Sequence, residues 1–132
     1  MRTKLFILAV LSFTFLTNCN SDDTNSTTNP LSGLWNLTHI SGGIAGFDQS
    51  YEIGDITWSF NTETQMVTIV NNVINNFTVL QSGTYTYSVL TTDDQEASLI
   101  INDMNLGILE FSENTVTIDQ KVADGITIKL TR

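Results

Sequence analysis

Few residues in this chain are equipped for chemistry. It has one cysteine, Cys19, and one histidine, His39. A side-chain nucleophile needs a base in reach, and zinc needs three or four Cys or His ligands; with the single thiol of Cys19 expected to be consumed by acylation, the one imidazole supplies neither set. No Gly-x-Ser-x-Gly elbow, P-loop or His-Glu-x-x-His pattern occurs. His39 shares parity with Trp35 and Leu37, which predicts an inward-facing, hydrogen-bonded core residue rather than a ligand or base. Asp93-Asp94-Gln95-Glu96 is the densest acidic cluster. It lacks the alternating Asp and central Gly of an EF-hand loop and reads as a solvated hairpin tip. Paired carboxylates hydrolyse glycosides only when a cleft raises one pKa, and carboxylates scattered over loops do not meet that need. The expectation is a chain that is not an enzyme and holds no metal and no cofactor.

Two kinds of residue remain. One is the thiol of Cys19. The other is an aromatic set, Trp35, Trp58, Phe60, Tyr85 and Tyr87, which alternation places on the inward faces of three strands. Around a cavity these side chains would make apolar walls with a few phenol groups, the usual lining of a small-molecule site. In a filled interior the same residues are simply core. The sequence leaves both readings open.

The surroundings of Cys19 are more specific. Arg2 and Lys4 precede Leu5–Leu16, which is apolar apart from Ser12 and Thr14. That is the charged and apolar pair of regions of a secretory signal, and the run is too short for a transmembrane helix of about 20 residues. Leu16-Thr17-Asn18-Cys19 resembles the lipobox of bacterial lipoproteins, although Asn18 stands where Gly, Ala or Ser is usual. The resemblance implies removal of residues 1–18 and acylation of Cys19 as the new N-terminus. Three acyl chains, at about 0.8 kcal/mol per buried methylene, exceed the two signals needed for stable anchoring. The membrane is then a partner through Cys19 alone.

Residues 19–30 read as a tether. Asn20–Asn29 contains no apolar residue and has nothing to offset its ordering entropy. As a flexible coil its ten residues reach roughly 17–19 Å. Ser21-Asp22-Asp23 resembles the acidic export signal of Bacteroidota-type lipoproteins, which implies the outer face of the outer membrane. Without residues 1–18, basic residues fall from 5 to 3 against 14 acidic ones, and the formal charge moves from −9 to −11. Nucleic-acid partners are excluded, since phosphate binding needs clustered Lys and Arg.

Residues 31–132 carry the fold. Period-two alternation recurs in Trp35–His39, Ile56–Phe60, Tyr85–Val89, Val116–Ile118 and Ile126–Leu130, as expected for antiparallel strands with one dry face. Met66–Val70, Ala97–Ile101 and Met104–Phe111 are further apolar runs of strand length. Asn61–Thr64, Asn102-Asp103 and Ser112–Asn114 supply the turn residues between them. Segment Ile40–Asp55 is expected as a loop or short helix across one barrel end, and Asn71–Gln81 as an added strand or an extension of a neighbour. Eight short strands in one domain favour closure into an up-and-down barrel, which removes exposed edges; a two-sheet β-sandwich is the alternative.

Gly33-Leu34-Trp35 resembles the Gly-x-Trp motif on the first strand of lipocalins, whose Trp packs across the closed barrel end. The run Leu31–Ile40, with the strands at Ile56–Asn61, Ser82–Val89 and Ile126–Leu130, is similar to small lipocalin-like domains of bacterial lipoproteins. The resemblance implies an all-β, lipocalin-like barrel. Taken with the inward aromatics, it leads to the expectation of a small apolar or amphipathic ligand, its site lined by Trp35, Trp58, Phe60, Tyr85 and Tyr87. A filled barrel used as a surface scaffold or protein-interaction module is the other expectation.

Overall fold

Threonine, valine, isoleucine and aromatic residues at alternate positions favour the pleated, half-buried backbone, and they build nine strands among the described residues. The computed structural model describes residues 29–74 and 77–132. Cys19, the expected leader 1–18 and the expected tether as far as residue 28 lie outside the described residues. The strands are β1 Gly33–Gly42, β2 Phe47–Ser50, β3 Ile56–Asn61, β4 Met66–Asn71, β5 Gly83–Thr91, β6 Ala97–Ile101, β7 Met104–Ser112, β8 Thr115–Asp119 and β9 Ile126–Thr131. No helix occurs among the described residues.

All pairings are antiparallel. The sheet order runs β2-β1-β3-β4-β5-β6-β7-β8-β9, and β1 also pairs with β9 from Asn36↔Thr131 to Gly42↔Ile126. That last ladder closes β1 and β3–β9 into an eight-stranded barrel, and the sandwich alternative falls away. β2 is additional. It pairs with the second half of β1 (His39↔Ser50 to Gly42↔Phe47), on the edge that β3 occupies along the first half.

Local chemistry explains the turns. Asn102 and Asp103 both take positive φ, 48° and 66°, the type I′ geometry that matches strand twist. The Asn61 side chain accepts the backbone N–H groups of Glu63 and Thr64, each at 3.0 Å, and shapes the turn between β3 and β4. Segment 40–55 differs from expectation. β1 continues to Gly42 and folds back as β2, so strand takes up part of the segment, no helix forms, and loop remains only at 43–46 and 51–55. After Asn71 the described residues up to Gln81 form no strand.

Two irregularities redirect side chains. The β1–β9 register shifts between Leu37 and His39, a bulge that leaves Thr38 without a register partner on β9. Trp35 and Leu37 face inward before it, and Ile40 does after it. His39 is therefore turned outward and half-buried, contrary to its expected inward position. The second shift, between Leu99 and Ile100 against β7, involves Gly107 at φ +127°. A Cβ there would lie 2.5 Å from the carbonyl atoms of Asp119, so only glycine lets the two backbones approach.

One core fills the interior. Twenty hydrophobic residues are buried in a single cluster, with Leu37, Ile40, Ile56, Trp58, Leu99 and Ile128 wholly inaccessible. The chain enters at one end, called lower here, which also holds loops 62–65, 92–96 and 113–114 and the terminal Arg132. The upper end carries loops 43–46, 51–55, 102–103 and 120–125 and the described loop residues 72–74 and 77–82.

Candidate functional site

The aromatic set is brought together in part. Trp35 on β1 and Trp58 on β3 are direct cross-strand partners, both pointing into the barrel. Trp58 lies 6.2 Å from Phe60, and Phe60 meets Tyr87 of β5 edge-on at 5.1 Å, the tilted arrangements that aromatic quadrupoles favour. All four are buried. Tyr85 stands at the margin of this group, partly buried, with its hydroxyl donating to the Gln81 carbonyl at 3.0 Å.

The lower end is closed by a small cap. The Trp35 indole N–H donates to the Leu31 carbonyl at 2.8 Å, and Leu31 is itself fully buried. The Arg132 guanidinium lies 4.0 Å over the Trp35 ring, and its Nη2 donates to the carbonyls of Pro30 (2.6 Å) and Ser32 (3.2 Å). One cation thus ties the segment Pro30–Ser32 and the last described residue to the same aromatic ring. Sequence reasoning missed Arg132, since a terminal residue carries no periodic signal.

One polar group inside the barrel is out of keeping with its surroundings. The Trp58 indole N–H is fully buried and has no acceptor. Such a donor costs about 1–3 kcal/mol relative to a paired one. Burial also holds the phenols of Tyr51 and Tyr87 above their ordinary pKa of 10.0. The depressions that reach the aromatic set are open to solvent. One of about 260 Å³ lies beside Trp35, Phe111 and Arg132, one of about 370 Å³ beside Phe60, Asn61 and Glu63, and one of about 130 Å³ beside Tyr87 and Asn102.

His39 sits in a hydrogen-bonded row on the outer face of β1 and β2. Its Nδ1 is 3.1 Å from Ser50 Oγ, and its Nε2 is 3.3 Å from Asp48 Oδ1. The row contains the residue types of a hydrolytic triad without the setting. A triad carboxylate is buried so that it orients and charges the imidazole, whereas the Asp48 side chain is 75% exposed. Lys121, which is exposed, lies 2.5 Å from Glu110 and 3.6 Å from Asp119. Its pKa is raised chiefly by the hydrogen bond to Glu110. Asp93–Glu96 lies in the exposed turn between β5 and β6.

A second aromatic group, at the upper end, was not foreseen. Phe47 of β2 lies 4.5 Å from Phe77, ring to ring, and the Tyr51 hydroxyl donates to the Phe77 carbonyl. Asn36 supports the loop below. Its Oδ1 accepts the Gly54 N–H at 3.0 Å, and its Nδ2 donates to the Thr131 carbonyl at 3.3 Å. The available sequence signal was apolar residues, Ile44, Phe47, Tyr51 and Ile53, set among glycines where a plain loop has none.

Comparison of this chain with protein-family models, with curated proteins and with solved structures returns no match.

Proposed function

We propose that this chain is a lipid-anchored lipoprotein of the bacterial outer membrane, of Bacteroidota type, exposed at the cell surface. Its filled, lipocalin-like barrel serves as a non-enzymatic protein-interaction module. The filled interior carries this reading. Trp35, Trp58, Phe60 and Tyr87 pack against one another and against the aliphatic core, which leaves the outer surface for recognition. The leader, Cys19 and the polar tether support the anchor. An acidic chain with only Lys121, Lys129 and Arg132 beyond the leader has no basic surface with which to hold anionic lipid, so attachment falls to the acyl chains.

The test is fractionation of Cys19→Ser. The expected result is loss of the protein from the membrane fraction, or its arrest with the leader uncleaved, with the barrel folded in either case. Membrane retention equal to the unaltered chain after correct leader removal would refute the anchor.

A second reading has one observation in its favour. The unpaired Trp58 N–H offers a donor to an amphipathic molecule within the barrel, with Trp35, Phe60, Tyr85 and Tyr87 as its apolar surroundings. Such a molecule would have to displace packed core.

A further inference from the structure

Every exposed large hydrophobic residue that lies in a loop of the described chain lies at the upper end. Ile44 is 90% exposed, Ile74 84%, Ile53 67%, Val122 66% and Phe77 49%. The lower loops 62–65, 92–96 and 113–114 contain only Thr, Glu, Gln, Asp and Asn. Single exposed apolar residues need no explanation, but a grouped set marks an interaction surface.

The upper loops are also held to one another. Gly43 N–H donates to the Gly125 carbonyl at 3.0 Å, joining the β1–β2 turn to the β8–β9 loop. Asn72 joins the β2–β3 and β4–β5 loops through its N–H to the Asp55 carbonyl (2.9 Å) and its Nδ2 to the Gly54 carbonyl (3.2 Å). The Phe47–Phe77 contact braces the same junction. A surface organised in advance loses less entropy when a partner binds.

Charge identifies the occupant. The upper end carries Asp48, Glu52, Asp55, Asp103 and Asp124. Its one cation, Lys121, already lies against Glu110 and Asp119. We propose that this end of the barrel docks a protein surface that presents apolar side chains framed by lysines or arginines. The inference rests on reading the filled barrel as an interaction module, and it names the face and the partner's chemistry. A second copy fits poorly, since a two-fold contact would set these carboxylates against themselves. An anionic lipid surface is repelled for the same reason, and the tether leaves from the opposite end.

The test uses the full-length chain in detergent and three fluorescent peptides: alternating Leu and Lys, the same with Glu for Lys, and the same with Ser for Leu. The Leu/Lys peptide is expected to bind about tenfold more tightly than either of the others, a difference of about one hot-spot contact. Ile44→Asn with Ile74→Asn should weaken it about tenfold, and Asp48→Asn, Glu52→Gln and Asp124→Asn together about fivefold or more. The charge-matched lower-end variant, Asp93→Asn, Asp94→Asn and Glu96→Gln, should leave it within about twofold. Equal loss in the lower-end variant, or equal binding of the Ser/Lys peptide, would overturn the docking face as mere diffuse attraction. So would sedimentation showing that Ile44→Asn with Ile74→Asn abolishes a dimer of this chain, or vesicle binding by the Cys19→Ser chain through the same residues. A failed docking face with Cys19→Ser released or arrested uncleaved leaves the anchored barrel standing; Cys19→Ser retained after correct leader removal removes the anchor whatever the peptides do.

Discussion

Removing the Arg132 guanidinium should loosen the lower end of the barrel by a predictable amount. In Arg132→Ala the backbone N–H of residue 132 keeps its bond to the Asn114 carbonyl, so only the side-chain contacts are lost. Those are the stack on Trp35 at 4.0 Å and the Nη2 bonds to Pro30 and Ser32. An exposed cation–π contact is worth about 0.5–1 kcal/mol. The two bonds share one nitrogen at the surface and together add about 1–1.5 kcal/mol, the low side for charged donors. The sum is about 2 kcal/mol, a melting-temperature drop of roughly 8–16 °C for a domain of this size. Arg132→Lys keeps the charge and loses the planar fork, so it should recover less than half. Urea denaturation followed by tryptophan fluorescence reads both variants. Stability of Arg132→Ala within about 0.5 kcal/mol of the unaltered chain, the range of an ordinary surface change, would refute the reasoning.

Other expectations follow from packing and titration. Gly107→Ala places a Cβ 2.5 Å from Asp119 backbone atoms at φ +127° and should cost about 3 kcal/mol or more. Gly83→Ala meets only the Tyr85 side chain at 3.2 Å and should cost about 1 kcal/mol or less; chemical denaturation separates them. Burial raises the Tyr87 phenol pKa above 10.0, so the unfolded chain loses that proton first. The associated stability is complete below pH 10.0 and is lost as pH rises through the higher folded value. Tyr87→Phe should flatten that alkaline decline, measured by denaturation across pH 10.0, and an unchanged decline would remove Tyr87 as its source.

The barrel was legible wherever dryness and wetness alternate. Thr115–Asp119 and Ile126–Thr131 read as strands because threonine and lysine face water between buried Val116, Ile118, Ile128 and Leu130. Asn102-Asp103 announced its turn through side chains that tolerate positive φ. Phe47–Ser50 gave no such sign. β2 buries no residue and owes its extended form to the ladder with β1, a partner invisible to local periodicity. The bulge at Thr38 defeated parity counting and sent His39 outward. Beyond Tyr87, the residues of β5 from Ser88 to Thr91 are all exposed, because β4 pairs with β5 only as far as Thr86. Tyr85 and Tyr87 share parity, yet only Tyr87 reaches the centre of the core. The upper apolar group depended on loops meeting across the barrel end, which spacing alone does not encode.

The central claim is that packed side chains, not a ligand, occupy the barrel. The direct measurement is titration of the full-length chain with a fluorescent polyene fatty acid while tryptophan emission is recorded. A filled barrel predicts weak, non-saturating quenching that is the same in Trp58→Phe. Saturable quenching at one molecule per chain, lost in Trp58→Phe, would contradict it.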